Sequence, residues 1–226
     1  MSPRIRIPFA TACALLAGLA LASFVPVAAQ GTISAEAQTN FAQAWANQPR
    51  VDLGIPGAGA KVVVVKFNDY ECPSCRQSEQ MYKPIFDKLA KSSPGAVKYV
   101  VKDWPWNSLC NFNTASTIPG HEASCNAAAA ARMAKERGKG DEMIAWLFAN
   151  QGTSPAAVRD AAQRIAGVTN FDAEYARVLP EIRRDVADGG VLRINSTPTY
   201  FINGVRLSEL IRPEYFELAI NLELKK

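Results

Sequence analysis

The sequence predicts an α/β fold that is interrupted by an all-helical insertion. The valine run Val62–Val65 is typical of a central strand buried on both faces, and a helix-periodic segment follows it within a few residues. From about residue 118 to 188 the pattern is helical only. A strand, the turn Asn203-Gly204 and a second strand then return the chain to the α/β core, because this dipeptide favours a two-residue hairpin.

The first part of the chain is predicted to alternate helices and strands. We expect a helix at 34–47, a Gly- and Pro-rich linker at 49–60 with a short edge strand at 51–53, a strand at 61–67, a helix at 72–90 and a strand at 96–102. Phe41 and Trp45 share one face of the first helix. The two strands and the helix between them form a unit that should be parallel with a right-handed crossover.

Start and stop signals divide the helical region. Ser154-Pro155 fits an N-cap followed by proline at the first helical position, and Asp172 can cap the next helix. Gly189-Gly190 marks the predicted end of the last helix. After the hairpin, Pro213 opens a closing helix.

These patterns divide the chain into five parts. They are a signal peptide (1–29), an N-terminal helix and linker (30–60), the first part of the core (61–117), the helical insertion (118–190) and the second part of the core (191–226). The leader carries Arg4 and Arg6, then an apolar stretch, then small residues ending at Ala29, near which we place cleavage. An uncleaved anchor is the alternative, but the apolar stretch is short for a spanning helix.

Composition indicates an exported protein. Cleavage would remove Cys13 and leave four of the five cysteines, an even number that suits an oxidising compartment. It would also remove two arginines, which leaves 23 basic against 21 acidic residues, a net charge of +2. So small a charge argues against nucleic acid or an anionic membrane surface as the main partner.

The motif Cys72-Pro73-Ser74-Cys75 lies where the valine strand gives way to a helix. A helix N-terminus carries partial positive charge and unpaired N–H groups, which stabilise a thiolate and lower its pKa. We therefore predict Cys72 as the nucleophile and Cys75 as the thiol that resolves a mixed disulfide. Pro73 and Ser74, between the cysteines, are candidates for tuning the pKa.

A second motif gives the chain its family resemblance. Ser196-Thr197-Pro198-Thr199 precedes the final strands, and together with Cys72-Pro73-Ser74-Cys75 and the helical insertion it resembles the DsbA-like branch of the thioredoxin superfamily. The resemblance implies a thioredoxin fold and thiol:disulfide exchange. It also implies that the bond before Pro198 is cis and that Thr197 binds a client segment with its backbone groups, like an added strand.

The sequence departs from that family in two places, and one of them is the dipeptide Pro73-Ser74, which lacks the histidine that many strong oxidants carry between the cysteines. Many relatives have a buried acidic residue six positions before the first cysteine, where this chain has Lys66. A nearby Lys66 would favour the Cys72 thiolate, whereas Glu71 would oppose it. The resulting redox potential is not predictable from sequence.

Cys110 and Cys125 form a second pair with three open interpretations. A structural disulfide closing a loop of about 15 residues is the most common case in exported domains. A second redox pair that relays electrons to or from Cys72 and Cys75 is the alternative. A zinc site is the weakest interpretation, because the spacing does not supply a second closely spaced pair of cysteines.

The single histidine, His121, lies in a Pro-Gly loop, which favours a loop or capping role over a general base.

The function predicted is exchange of disulfides with exported cysteine-containing clients, with the protein as an oxidase. No cofactor, resident metal or nucleic acid is expected, and the absence of a dimerisation domain predicts a monomer. Trp104-Pro105-Trp106-Asn107 followed by Cys110 is similar to the thioredoxin-like partners of vitamin K epoxide reductase homologues, which implies a quinone-linked membrane partner. A reductase or isomerase, a soft-metal-binding module and a permanently closed structural disulfide remain as alternatives.

Overall fold

The computed structural model describes residues 33–55, 57 and 59–226, so the predicted signal peptide at 1–29 lies outside the described residues. The elements in chain order are α1 (Ala35–Ala46), β1 (Val62–Asn68), α2 (Pro73–Ser92), β2 (Val97–Asp103), α3 (Ser124–Glu136), α4 (Gly140–Ala149), α5 (Pro155–Ala166), α6 (Phe171–Val191), β3 (Thr199–Ile202), β4 (Val205–Leu207) and α7 (Pro213–Leu224). In this part of the chain, no helix combines the length and apolar character needed to cross a bilayer.

The four strands form one sheet in the order β2-β1-β3-β4. β1 is an inner strand that pairs parallel with β2 and antiparallel with β3, and β3 and β4 form the predicted hairpin. Val64 packs with Tyr82 of α2 and Phe216 of α7 on one face, while Val65 and Phe67 pack with Trp104 on the other. The valine run is therefore buried on both faces, as predicted.

The edge strand predicted at 51–53 is wrong. Contact with the hairpin is limited to an isolated bridge between Arg50 and Val205 and a hydrogen bond from Val51 N to Gly204 O (3.0 Å). The Asp52 side chain then accepts a hydrogen bond from Gly54 N (2.8 Å), which turns the chain away from the sheet edge.

The N-terminal helix α1 is anchored to the core by its one large buried side chain. Trp45 is buried, and its Nε1 donates to Glu223 Oε1 of α7 (2.7 Å). Phe41, on the same face, stacks on Trp45 and packs against Tyr215. The predicted amphipathic face is therefore the face that contacts the core.

Helices α3 to α6 form the insertion between β2 and β3, with α3 buried among the other three. The alanines at 127–131 let these helices approach closely, and all five are buried. Ser154 caps α5 by accepting from Ala157 N (3.2 Å), with Pro155 at the first helical position, as predicted. The predicted cap at Asp172 is wrong, because Asn170 accepts from Ala173 N (3.2 Å) and starts α6 two residues earlier.

Gly189 and Gly190 do not end α6, which continues through both to Val191. The reason is a close approach between α6 and the core. A Cβ built on Gly189 would lie 2.3 Å from Cζ3 and 2.4 Å from Cε3 of Trp104, and 3.1 Å from Cε1 of Phe67. The glycine leaves room for the indole ring, and this outweighs its poor helix propensity.

We expect Gly189→Ala to lower the free energy of unfolding by about 2 kcal/mol, since overpacking a rigid core site outweighs the gain in helix propensity. Urea denaturation would measure this loss. Gly190→Ala is the matched control, because the atoms nearest its Cβ would belong to the side chain of Asn113, which can move at the cost of one hydrogen bond to Val186 O. Equal stability of the two variants would contradict the packing role of Gly189.

Candidate active site

The two cysteines of the motif differ in accessibility. Cys72 is the N-cap of α2, with Pro73 at the first helical position, and the N–H groups of Cys75 and Arg76 donate to Cys72 O (3.0 and 3.2 Å). Cys72 is 9% exposed and Cys75 is fully buried at 0%. Both are free thiols in this structure. The first cysteine of the motif is therefore the more exposed of the two.

The loop before β3 lies against Cys72. The Thr197–Pro198 peptide bond is cis, in agreement with the family resemblance. The Cys72 thiol donates to Thr197 O (3.2 Å), and Trp106 Nε1 donates to Thr197 Oγ1 (2.8 Å). The structure thus brings together three residues predicted for the site, and adds Trp106, which holds the loop in place.

The pKa values of the two thiols are displaced in opposite directions. The pKa of Cys72 is lowered from 9.0 to about 6, first by a hydrogen bond from the Cys75 thiol, against the opposing effect of burial. Hydrogen bonding with the Thr197 side chain and the N–H groups of Cys75 and Ser74 add to the lowering. Burial raises the pKa of Cys75. Ser74 therefore acts on the thiolate through its backbone, and the largest effect comes from the neighbouring thiol, which the motif alone does not indicate.

The lowered pKa of Cys72 predicts that the free energy of unfolding of the dithiol form depends on pH. Because the Cys72 pKa is lower in the folded state, its thiolate stabilises the fold fully above pH 9 and loses this contribution as pH falls through about 6. Between pH 8 and pH 6 the dithiol protein should lose about 2 kcal/mol more than the disulfide protein, which has no Cys72 thiol to titrate. Cys75 stays protonated in the folded state over this range, since its folded pKa is raised, and an unfolded thiol of ordinary pKa is still mostly protonated at pH 8.

Denaturant unfolding of both redox forms at the two pH values measures the difference, and groups that titrate equally in both forms cancel. An equal loss in the two forms would show that Cys72 titrates as an ordinary thiol.

Lys66 lies beneath the second cysteine rather than the first. It is 1% exposed, and its Nζ donates to Cys75 O (3.4 Å) and to Glu79 Oε2 (3.3 Å). Its charge opposes the rise in the Cys75 pKa. Because Lys66 bonds to the Cys75 carbonyl and its charge acts on the Cys75 thiol, its proximity favours ionisation of Cys75.

Glu71 and the carbonyl groups of the reactive turn are held by the loop between α4 and α5. Gln151 Nε2 donates to Tyr70 O (2.8 Å) and to Cys72 O (2.9 Å), and Gly152 N donates to Glu71 Oε2. Burial raises the pKa of Glu71. This shift weakens the repulsion that an ionised Glu71 would exert on the thiolate.

A carboxylate that the sequence analysis did not select lies under the turn. The Asp69 side chain is fully buried and accepts hydrogen bonds from Trp106 N (2.7 Å), Glu71 N (2.9 Å) and Ser124 Oγ (2.8 Å). His121 Nδ1 lies 2.8 Å from Asp69 Oδ2. His121 is therefore part of the site, although its loop position gave no indication of this.

Cys110 and Cys125 are joined by a disulfide, and both are 2% exposed. It ties the segment carrying Trp106 to the start of α3. No group of three or more His, Cys, Asp or Glu side chains in the described residues could hold a metal ion. The structure thus contains the predicted disulfide.

Comparison with known proteins agrees with this arrangement. A family model described as thioredoxin matches residues 56–221. The chain belongs to the thioredoxin family. BdbD from Bacillus subtilis is 20% identical with a TM-score of 0.56, and the match covers 79% of this chain and 98% of BdbD. A periplasmic thioredoxin-like protein from Salmonella enterica serovar Typhimurium is 20% identical with a TM-score of 0.56, and the match covers 87% of this chain and 100% of that protein. Alpha-DsbA1 from Wolbachia pipientis is 15% identical with a TM-score of 0.55, and the match covers 74% of this chain and 87% of that protein.

These structures share the thioredoxin fold with this chain, and the predicted fold class, with its helical insertion, is confirmed. Curated relatives include proteins named Na(+)/H(+) antiporter NhaA 1 from Mycobacterium sp. (strain KMS) and Salinispora arenicola (strain CNS-205), at 30% and 29% identity over 65% of this chain. The match covers 22% and 21% of those proteins, so the chain spans about a fifth of the length of the curated relatives it matches.

Proposed function

We propose that this thioredoxin-family protein is a thiol:disulfide oxidoreductase that passes a disulfide to cysteine-containing client proteins. The observation that carries the proposal is a single accessible thiol of low pKa at a helix N-terminus, in contact with the loop that contains the cis-proline. A low pKa makes Cys72 a good leaving group and stabilises the dithiol form, which favours donation of the disulfide.

The proposed exchange proceeds in two steps. A client thiolate attacks Cys72 Sγ of the Cys72–Cys75 disulfide, which forms a mixed disulfide and releases Cys75 as a thiolate that takes up a proton. The second client thiolate then attacks the client sulfur of the mixed disulfide, and Cys72 leaves as a thiolate. The client dithiol is oxidised by two electrons and the protein disulfide is reduced by two.

Thr197 and Pro198 are the proposed client-binding residues. An extended client segment could pair with the backbone of this loop in the manner of an added strand.

We further propose export after cleavage near Ala29, action as a monomer, and reoxidation by a quinone-linked membrane enzyme of the vitamin K epoxide reductase type. The Cys110–Cys125 disulfide supports an oxidising compartment.

Stoichiometric transfer tests the activity. Oxidised protein is mixed with a reduced peptide that contains two cysteines, and alkylation with mass spectrometry follows both partners. We expect one disulfide to appear in the peptide. Alkylation after acid quenching and denaturation, which exposes the buried Cys75, should label Cys72 and Cys75 and leave the disulfide-bonded Cys110 and Cys125 unlabelled. Failure of the peptide to gain a disulfide, with Cys72 and Cys75 still paired, would refute the proposal.

The equilibrium redox potential against glutathione tests the direction. An oxidase should have a potential closer to about −120 mV, as in strong oxidants, than to about −270 mV, as in thioredoxin. A value near about −270 mV would favour a reductase.

Incubation of the reduced protein with membranes of its host, with and without a quinone-site inhibitor, tests the proposed partner. Absence of reoxidation would exclude that partner.

A further inference from the structure

The hydrogen-bond cluster around Asp69 connects the only histidine of the chain to the reactive turn. Asp69 contacts the turn at three points. Its carbonyl accepts from Cys72 N (3.2 Å), its N–H donates to Cys75 Sγ (3.5 Å), and its carboxylate accepts from Glu71 N (2.9 Å). The same carboxylate binds His121 Nδ1, so the imidazole is held directly beneath the turn.

Placement of His121 in this cluster does not depend on the Asp69 contact alone. His121 O accepts from Asn107 Nδ2 (3.1 Å) and from Ser124 N (3.1 Å), and its side chain is 13% exposed. The nearby disulfide between Cys110 and Cys125 further restrains both segments that carry these groups. A ring held this way has little freedom to turn out into solvent.

The charged groups with the largest effects on the His121 pKa are all negative. The groups acting on it are Asp69, Cys72 and Glu71, all from the reactive turn, and Glu122 is its own neighbour in sequence. The hydrogen bond to Asp69 raises the His121 pKa most, and the charges of Cys72 and Glu71 raise it further. The imidazole is therefore placed to carry a proton when Cys72 is a thiolate.

We propose that His121 is a positioning residue of the redox centre: its protonated imidazole, held by Asp69, stabilises the Cys72 thiolate and thereby favours the dithiol form over the disulfide. This inference rests on the proposed function, because it concerns the same redox pair. Reduction of the disulfide adds two electrons and one proton, which goes to Cys75. Because the thiolate raises the pKa of His121, reduction also increases the protonated fraction of the imidazole.

Because coupling between two sites is reciprocal, the thiolate must raise the pKa of His121 as much as protonated His121 lowers that of Cys72. NMR titration of the imidazole in untagged full-length mature protein measures this without any variant, since the chain has a single histidine. We expect a higher His121 pKa in the dithiol form than in the disulfide form. The same pKa in both forms would overturn the inference.

Variants then test the effect on the redox centre. We expect His121→Gln, which can still hydrogen-bond to Asp69 but carries no charge, to shift the equilibrium with glutathione about five- to tenfold toward the disulfide. A tenfold change corresponds to about 30 mV for this two-electron couple. His121→Lys, which restores a positive charge, should recover most of the shift and lose the pH dependence near neutrality.

Ser124→Ala is the matched control. It removes a hydrogen bond to the same carboxylate without removing a charge, so it should change the equilibrium less than about twofold. Glu71→Gln should retain the difference in His121 pKa between redox forms, because the thiolate remains. A shift in Ser124→Ala as large as that in His121→Gln would mean that the cluster acts only by packing.

The two proposals can fail separately. If His121 titrates differently in the two redox forms but no disulfide reaches a client peptide, the proposed function fails and the electrostatic coupling stands. If the peptide is oxidised and His121 titrates identically in both forms, the coupling fails and the function stands.

Discussion

Cys75→Ser is expected to form a stable mixed disulfide with glutathione at Cys72, whereas Cys72→Ser should not react. Cys72, which remains in Cys75→Ser, is 9% exposed and has a lowered pKa in the native protein. Cys75, which remains in Cys72→Ser, is fully buried and has a raised pKa. We expect the two rates to differ by at least about 1,000-fold, since a buried thiol is neither ionised nor accessible. Mass spectrometry after incubation with glutathione disulfide measures both rates.

Cys75→Ala leaves no donor at this position and so removes the largest influence that lowers the Cys72 pKa. Its rate should rise with pH more steeply than that of Cys75→Ser, whose hydroxyl can still donate to the thiolate. Ser74→Ala is the control in the same turn, because it keeps the backbone N–H and loses only a hydroxyl; it should react like the native protein. Reaction of Cys72→Ser as fast as Cys75→Ser would mean that the assignment of the nucleophile is wrong.

Replacing both Cys110 and Cys125 with serine is expected to lower the free energy of unfolding by about 3 kcal/mol, because the disulfide closes a loop with a sequence separation of 15. Chemical denaturation of the oxidised protein measures the loss. If the disulfide is purely structural, the potential of Cys72 and Cys75 in the double variant should stay within about 10 mV of the native value, which is about a twofold change in the equilibrium.

The corresponding single variants provide the control. Cys110→Ser and Cys125→Ser each leave one unpaired, buried thiol, and neither can transfer electrons as a pair. A large change in the Cys72–Cys75 potential in the double variant, with little loss of stability, would contradict the structural interpretation and support a relay between the two disulfides.

Local sequence signals predicted the elements of this fold well. The valine run, the Ser154-Pro155 cap and the Asn203-Gly204 hairpin depend on neighbours in the sequence, and each is found where it was expected. Gly189 was misread as a helix end because the ring that requires a glycine there belongs to Trp104, far away in the chain. Propensity records the cost of a glycine and not the contact that makes it necessary.

The site shows the same division. Cys72, Cys75 and Pro198 are recognisable from short motifs, but the group that His121 binds is 52 residues away in sequence. No spacing rule connects a histidine in a Pro-Gly loop with an aspartate at the end of a strand. Lys66 was recognised as unusual from the sequence. Whether it lies nearer to Cys72 or to Cys75 depends on the path of α2, which the sequence does not give.

The hydrogen bonds donated by Gln151 Nε2 and Gly152 N have a consequence for how such proteins can be altered. Because a loop of the helical insertion supports the carbonyl groups of Tyr70 and Cys72, the reactivity of the dithiol depends on two stretches of chain that lie far apart in the sequence. Grafting in a different insertion, or shortening this one, would retune the chemistry while every cysteine stayed in place.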